Sequence, residues 1–330
     1  MVPELTHTLH RYLADLQAQL DADADPTTGF AALVAAHLPD ATIVLDTAYA
    51  ELTVHDEPLA PAEQQAARAR HRMLVQPFFL QAAMLRWAID KPLGYPGDFQ
   101  VVNHIFDPPR PGNTPLGDLL AHWSYASGPA RAHRARREWA VDRLRRNHAR
   151  HVLSFACGPE RVLRDIHADG RPYDITLCDH DLRAVEHAEK HLRERAPDSL
   201  TVRAVRQSVQ RLIVSRTAAA DLLSPATRAN HGFDAILVLG LLDYLGEAAA
   251  ARLIAALVPL LRPGGELLLT NLDAGNLWRS YMDYTLEWTT RHRTRDEFAA
   301  LTAHPELEPL ALAPDPAAGV NLFYVARRTP

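Results

Sequence analysis

After residue 150, short apolar runs alternate with stretches of helical periodicity, and this alternation constrains the fold more than any other feature. The apolar runs cover 151–156, 174–178, 200–205, 233–239, 265–270, 307–313 and 320–326. The helical stretches between the first six runs cover 159–168, 181–195, 208–223, 247–261 and 279–302. Strands that alternate with helices form βαβ units, whose mostly parallel sheet carries helices on both faces. Only "APDPAAG" separates the last two runs, so we predict that these two pair antiparallel.

The chain before residue 150 has helical character instead. A leucine stripe at spacings of three and four opens it: Leu5, Leu9, Leu13, Leu16 and Leu20. Helical patterns follow at 28–38, 61–75, 76–90 and 130–149. The Pro/Gly-rich segments "KPLGYPGDF" (91–99) and "DPPRPGNTPLG" (107–117) exclude long regular elements. We therefore predict two domains, a helical cap or lid region at 1–148 and a Rossmann-like α/β domain at 149–330.

Composition narrows the class of protein. The 330 residues carry a net charge of −5 and two cysteines, which favours a reducing cytoplasm and argues against a dedicated nucleic-acid binder. The N-terminus lacks the apolar core of a signal peptide, and the apolar stretch at 235–242 is too short to span a bilayer. The histidines show no metal-ligand spacing, so we predict no metal site. The expected partners are a small-molecule substrate and, in a homodimer, a second copy, with neither nucleic acid nor membrane.

The segment "VLSFACGPERVL" (152–163) predicts a strand, a turn and the start of a helix. Ala156 ends the strand, Gly158 permits the turn, and Pro159 suits a first helical position. A dinucleotide would place its pyrophosphate here, and Glu160 would bring like charge to it. S-adenosylmethionine (SAM) has no phosphate, and Glu160 would instead hold its ammonium. The segment therefore favours SAM as the cofactor.

Other residues are predicted to complete the cofactor site. Asp179 ends the second strand 21 residues after Gly158, where a carboxylate accepts hydrogen bonds from ribose hydroxyls, and His180 follows it. Beyond these two, we assign Gln207 and Ser208 to the adenine, Gly240 and Leu241 to the methionine part, and Arg134 or Arg137 to the carboxylate of SAM. The remaining arginines of 131–150 are predicted to lie on a solvated helix face. The alternation of strands and helices, the acid that ends strand two, Phe-Asp at the start of strand four and Pro-Gly-Gly before strand five occur in this order. Together they predict a class I SAM-dependent methyltransferase fold.

Four blocks make the chain resemble a narrower bacterial group, which includes the 3-hydroxypalmitate methyl ester biosynthesis methyltransferases. They are "KPLGYPGDF" (91–99), "ACGPERV" (156–162), "GLLDYL" (240–245) and "YMDYTLEWTTRHRT" (281–294). The resemblance runs from about residue 76 to 300. Val162 stands where the group's loop has a glutamate. In the last block, Asp283 stands where the group has glutamate, and Glu287 stands where it has aspartate. These last changes bear on the substrate more than on the cofactor.

The blocks indicate candidate catalytic residues. Tyr95 is predicted to face the sulfonium, which an aromatic ring favours, and Asp98 to hold an ammonium or act as a base. The alternative for Asp98 is the N-cap of a helix that begins at Phe99. Asp243 and Tyr244 are predicted to face the substrate, with helix capping and helix packing as their alternatives.

Three further residues are predicted to bind the substrate: Asn271 at the end of strand five, and Met282 and Asp283 on the helix after it. Trp288 is predicted to belong to the core, because it shares no stripe with Met282 and Asp283.

Methyl transfer to a carboxylate, hydroxyl or amine of a small molecule is the predicted reaction. Such a displacement needs alignment and exclusion of water more than a catalytic triad. Two alternatives remain. A cap closed over SAM would let its own amine attack the γ-carbon, which gives azetidine-2-carboxylate and methylthioadenosine. A protein that only senses SAM would bind it without turnover.

Overall fold

The computed structural model describes residues 1–24, 29–164, 166, 171–195 and 200–330. The chain forms two compact units. Unit 1 comprises Met1–Arg131 and Asn276–Thr289, and unit 2 comprises Ala132–Gly275 and Thr290–Pro330.

Unit 1 is built from helices. They are α1 (Val2–Asp23), α2 (Ala31–Asp56), α3 (Pro61–Leu74), α4 (Gln76–Phe79), α5 (Ala83–Asp90), α6 (Phe99–Phe106), α7 (Pro115–Ala126) and the first turn of α8 (Gly128–Arg146). The predicted leucine stripe of α1 is buried from Leu9 to Leu20, while Leu5 is half-buried. Helix α2 runs on through Pro39, well beyond the predicted 28–38.

Aromatic side chains form the centre of unit 1. Trp123 stacks on Tyr49 at a centroid distance of 5.7 Å and meets the edge of Tyr281 at 4.8 Å. Each of these rings also has a polar contact: Trp123 Nε1 donates to Asp46 at 2.8 Å, and the Tyr281 hydroxyl lies 2.7 Å from that of Ser124. Tyr281 comes from the segment 276–289, so this cluster explains why that distant segment belongs to unit 1.

Helix α2 is long and apolar enough to cross a membrane, by length and composition. Leu45, Tyr49 and Leu52 on this helix are fully buried among other helices of unit 1. One face of α2 therefore packs into unit 1, while Ile43 and Val54 on the same helix are exposed.

Unit 2 contains one sheet in the order β3-β2-β1-β4-β5-β8-β7, with β6 beside β5. Its strands are β1 (His151–Phe155), β2 (Tyr173–Asp179), β3 (Leu200–Arg206), β4 (Phe233–Val238), β5 (Leu261–Asp273), β6 (His292–Arg293), β7 (Leu307–Pro314) and β8 (Asn321–Arg328). Strands β1 to β5 pair parallel, and β8 pairs antiparallel with both β5 and β7. The order reverses at β1, where doubly wound sheets bind their ligands.

Helices cover both faces of this sheet. They are the rest of α8, α9 (Leu182–Arg195), α10 (Val209–Val214), α11 (Arg216–Ala220), α12 (Pro225–Ala229), α13 (Glu247–Leu257) and α14 (Arg295–Thr302). Successive residues of β1 alternate between two apolar clusters: Val152 packs with α8 and α9, whereas Leu153 packs with α13. The predicted α/β fold with a mostly parallel, Rossmann-like sheet and an antiparallel last strand is confirmed.

Several expectations differ from the structure. Within the predicted helical stretch 279–302, only Arg295–Thr302 forms an α-helix. The predicted helix 159–168 does not begin at Pro159, since 159–162 form turns and irregular backbone, and Leu163, Arg164 and Ile166 have 3-10 geometry; residues 165, 167 and 168 lie outside the described part. The boundary between the two compact units also differs from the predicted one at 148, because unit 2 begins at Ala132. Ala140, Val141 and Leu144 of α8 pack into the sheet's core, which draws most of that helix into unit 2.

Candidate functional site

The turn after β1 is held in an unusual backbone conformation. Ala156, Gly158 and Glu160 all have positive φ angles, of 57°, 51° and 46°. Non-glycine residues pay about 1 kcal/mol or more for this region, and such strain persists where the surroundings impose it. Cys157 anchors the turn to β2 by donating its N–H to the Cys178 carbonyl at 3.1 Å.

The buried carboxyl of Glu160 holds this turn through hydrogen bonds. Its side chain is 4% exposed, and Oε1 accepts the backbone N–H of Leu163 at 3.0 Å. The Val162 N–H and the Ser154 side chain also hydrogen-bond to the carboxyl, although burial still raises its pKa. These backbone donors, which a phosphate would need, are therefore occupied by the protein's own carboxylate. The predicted contact of Glu160 with an ammonium stays a prediction.

Asp179 lies beside the turn, at the carboxyl end of β2. Its Oδ2 accepts the Gly158 N–H at 3.0 Å, and its Oδ1 accepts the Asp181 N–H at 3.0 Å. His180 Nδ1 is 2.9 Å from Oδ1, and this hydrogen bond is the main cause of the raised pKa of His180. The structure thus brings Ala156, Gly158, Glu160, Asp179 and His180 together.

The two residues predicted at the adenine have structural contacts. Gln207 is buried, its N–H donates to the Asp179 carbonyl at 2.9 Å, and its Nε2 donates to the Ala218 carbonyl at 3.2 Å. Ser208 caps α10 by accepting the Arg211 N–H at 3.3 Å. Gln207 therefore follows β3 beside Asp179, and its side-chain amide contacts the protein; the contacts of Gln207 and Ser208 with the adenine stay predictions.

The loop after β4 approaches an arginine that sequence reasoning missed. Gly240 has φ 87°, a conformation that favours glycine, and a Cβ at this position would lie 2.6 Å from Arg136 Nη1, so any other residue would displace the guanidinium. Leu241 packs against the adjacent core. Burial lowers the pKa of Arg136, while Asp243 and Tyr244 act to raise it. Sequence reasoning chose Arg134 or Arg137, because no pattern distinguishes one arginine among the seven of α8.

Asp243 lies in a 3-10 turn, Leu242–Tyr244, directly after this loop. Its side chain is 5% exposed, and Oδ1 accepts the Leu272 N–H at 2.6 Å. Burial raises the pKa of Asp243 to about 6, against the opposing effects of this hydrogen bond, Arg136 and Arg293. Tyr244 is 40% exposed.

Arg293 fixes the Asp243 loop from β6 and is a second residue that the sequence did not single out. Its guanidinium, 3% exposed, donates to the carbonyls of Leu242 at 3.0 Å and Leu245 at 2.7 Å and pairs with Glu247 at 2.9 Å. It also donates to Asn271 Oδ1. Asn271 is fully buried, and its Nδ2 donates to the Arg291 carbonyl at 3.1 Å. The structure therefore gives Asn271 an anchoring role; its predicted contact with substrate stays a prediction.

The raised pKa of Asp243 predicts a pH dependence of stability. A carboxyl whose pKa is higher in the folded protein than in the unfolded chain stabilises the fold at low pH. This contribution is complete below pH 4 and is lost as pH rises through about 6. In Asp243→Asn, the free energy of unfolding should fall less between pH 4 and 6.5 than in the wild type, as measured by urea titration. An unchanged slope would contradict the assignment, and Asp142→Asn, at an exposed position on α8, is the control.

Tyr95 and Asp98 belong to unit 1. Tyr95 is half-buried in the turn before α6. Asp98 is fully buried and caps α6, with Oδ1 accepting the N–H groups of Gln100 at 2.8 Å and Val101 at 3.0 Å. Trp87 Nε1 donates to Oδ2 at 3.1 Å. The capping alternative therefore describes the contacts of Asp98, and these contacts occupy both oxygens.

Met282 and Asp283 also belong to unit 1, on a π-helical turn at Tyr281–Thr285 rather than on the predicted α-helix. Met282 is buried, and Asn276 Nδ2 lies 3.9 Å from its Sδ. Asp283 pairs with Arg68 at 3.1 Å, and burial is the main cause that raises its pKa to about 6. Trp288, beyond the turn, is buried.

Comparison with known proteins bears on the fold. No protein-family model matches the chain, and no curated protein matches it. A solved structure of a possible exported protein from Bordetella parapertussis is similar over 93% of this chain and 99% of that chain, with a TM-score of 0.58 and 17% identity. A candidate methyltransferase from Thermobifida fusca is similar over 72% of this chain and 97% of that chain, with a TM-score of 0.52 and 17% identity. The fold is that of class I methyltransferases. At these identities the likeness concerns the fold, and the chemistry must be argued from the residues.

Proposed function

We propose that this protein is a SAM-dependent methyltransferase that acts on a small-molecule acceptor. The observation that carries the proposal is the turn after β1, where Glu160 occupies backbone donors that a phosphate would need. A nucleotide cofactor with a pyrophosphate would place like charge next to this buried carboxyl. SAM combines a nucleoside with an ammonium and a sulfonium and has no phosphate, so it fits both the turn and the carboxylate of Asp179.

The residues of unit 2 have distinct roles in this proposal. SAM supplies a methyl group activated by its sulfonium. Asp179 accepts hydrogen bonds from the ribose hydroxyls, in addition to the Gly158 N–H that positions it. Gly240 has no side chain, and this leaves space for the Arg136 guanidinium beside the loop after β4. A SAM carboxylate is a suitable partner for the guanidinium of Arg136, the arginine of α8 that lies at this loop.

Asp243 is proposed to serve the acceptor. Its pKa of about 6 leaves the carboxyl ionised at pH 7.5 and close to the range in which it exchanges protons. A hydroxyl or amine acceptor must lose a proton during methyl transfer, and a carboxyl in this range is suited to take it. An acceptor that is already a carboxylate would need no base.

Incubation of the pure protein with SAM, followed by mass spectrometry of the products, tests the reaction. We expect SAM to remain intact until an acceptor is added, and S-adenosylhomocysteine to form with it. Methylthioadenosine formed without an acceptor would contradict the proposal and indicate the cyclisation of SAM instead. Binding of SAM without turnover across a panel of carboxylate, hydroxyl and amine acceptors would contradict it in favour of a sensor.

A further inference from the structure

Unit 1 contains a cavity of about 430 Å³ with a polar wall. One side is a face of α3, from Pro61 to Arg72, and the other is formed by Asp283 of the π-helical turn and by Glu287 and Thr289 after it. A volume of this order is within the range of cavities that bind small molecules. None of the roles proposed above for unit 2 uses this cavity.

Charged side chains at the base of the cavity form ion pairs that differ in how well each partner is hydrogen-bonded. Arg68 is shared by two buried carboxylates, since its Nη2 lies 3.1 Å from Asp283 Oδ2 and 3.8 Å from Asp56 Oδ2. The Tyr284 hydroxyl donates to Asp56 Oδ1 at 2.6 Å, which leaves Asp283 as the less satisfied acid. The neighbouring Arg72 is engaged by Glu287 at 2.8 Å. At the cavity, the carboxyls of Asp56, Asp283 and Glu287 outnumber the guanidinium groups of Arg68 and Arg72, while two further cations, Arg279 and Lys91, act on Asp283 and Glu287 from outside its lining.

Asp283 is the buried carboxyl of this group that lines the cavity. Its side chain is 7% exposed and lines the wall, and no described residue gives its buried Oδ1 a hydrogen bond of ordinary geometry. A buried carboxylate oxygen without a donor costs free energy that a ligand's N–H group would recover. Arg279, the other cation near Asp283, does not line the cavity; its guanidinium contacts the Thr53 carbonyl at 3.4 Å. Burial raises the pKa of Asp283, and Arg68, Arg279 and a hydrogen bond from the Thr289 side chain oppose this shift without cancelling it.

We propose that this cavity binds a small protonated amine, whose ammonium donates to Asp283. The side-chain amides of Gln64 and Gln65 and the hydroxyl of Thr289 line the same cavity, so the amine should also carry hydroxyl or carbonyl groups. A ligand that presented a carboxylate would meet Asp283 and Glu287, while Arg68 Nη2 is engaged by Asp283 and Asp56 and Arg72 by Glu287; the buried Nε of Arg68 has no partner among the residues lining the cavity. The proposal does not depend on the proposed methyl transfer, and its test uses no SAM.

Calorimetric titration at pH 8 with three compounds of one length tests the proposal: 4-amino-1-butanol, butane-1,4-diol and 4-hydroxybutyrate. We expect the amine to bind at least about tenfold more tightly than the diol or the acid, which corresponds to one charge-assisted hydrogen bond. Equal binding of the three, or stronger binding of the acid, would overturn the proposal. Absence of heat or of chemical-shift changes with the amine up to millimolar concentration would overturn it as well.

Variants of the full-length chain locate the binding. Asp283→Asn should weaken binding of the amine roughly tenfold. The control Asp118→Asn removes another buried carboxyl of unit 1, outside the cavity, and should leave the affinity unchanged. Since Asp283→Asn alters the partner of Arg68, a second variant, Gln65→Trp, fills the cavity from an exposed position and keeps its charges. Amine binding that survives both substitutions would overturn the proposal.

Discussion

Replacing Asp179 with asparagine should raise the dissociation constant of SAM about 10- to 100-fold. Hydrogen bonds to a charged acceptor contribute about 1.5–3 kcal/mol, and asparagine offers the ribose one neutral oxygen in place of a carboxylate. The amide oxygen can still accept the Gly158 N–H, whereas the Asp181 N–H loses its acceptor, so the free energy of unfolding is measured beside the affinity. Equilibrium dialysis or calorimetry with SAM measures the change.

Asp174 provides a matched control on the same strand. It is buried at the amino-terminal end of β2, where its Oδ2 accepts from Thr227 Oγ1 at 2.9 Å. Asp174→Asn should lower the free energy of unfolding by about 1–3 kcal/mol and leave the affinity for SAM unchanged, because ligands bind at the carboxyl ends of such strands. An Asp179→Asn variant with wild-type affinity would contradict the assigned site.

Replacing Arg293 with alanine should destabilise the protein by about 3 kcal/mol, because each buried acceptor left without its donor costs about 1–3 kcal/mol. The ion pair adds little, since its partner Glu247 is 66% exposed. The guanidinium is almost completely buried, and its loss leaves the carbonyls of Leu242 and Leu245 and the side chain of Asn271 without their donor. These groups hold the 3-10 turn of Asp243, so the activity of the folded fraction should also fall. Urea unfolding and turnover per folded molecule measure the two effects.

Arg291→Ala is the control for this substitution. Arg291 lies two residues earlier on the same segment, and its side chain is exposed. Its N–H, which donates to the Asp243 carbonyl at 2.7 Å, is retained in the variant. A surface substitution of this kind should change the free energy of unfolding by less than about 0.5 kcal/mol. Similar losses in both variants would show that Arg293 has no special role in holding the loop.

Much of unit 2 could be predicted from the sequence because its strands are short, buried and separated by helices. The bounds of β1, β2, β3 and β4 differ from the predicted ones by one residue at most, whereas β5 is extended at both ends. The helix expected at Pro159 was wrong for a local reason. Glu160 adopts a positive φ, which an α-helix does not accommodate, because its carboxylate binds the following N–H groups.

Other features depend on contacts between distant segments and left little signal in the sequence. Residues 276–289 join unit 1 through Tyr281, which packs against a tryptophan more than 150 positions earlier. Arg136, Arg293 and Arg68 were missed because one arginine resembles another until its partners are known. The contacts of Asp98, in contrast, could be predicted from the sequence. Its position directly before Phe99 indicated a helix N-cap as one of two alternatives. Membership in the narrower 3-hydroxypalmitate methyl ester group and the identity of the acceptor stay predictions.

Competition between SAM and a dinucleotide tests the central claim most directly. The account states that the turn after β1 accepts a nucleoside without phosphate, since Glu160 occupies the backbone donors there. Calorimetric titrations of the wild-type protein with SAM and with NAD, at equal ionic strength, should show binding of SAM and at least about 100-fold weaker binding of NAD, a difference of about 3 kcal/mol. NAD that binds as tightly as SAM, or displaces it, would contradict the account.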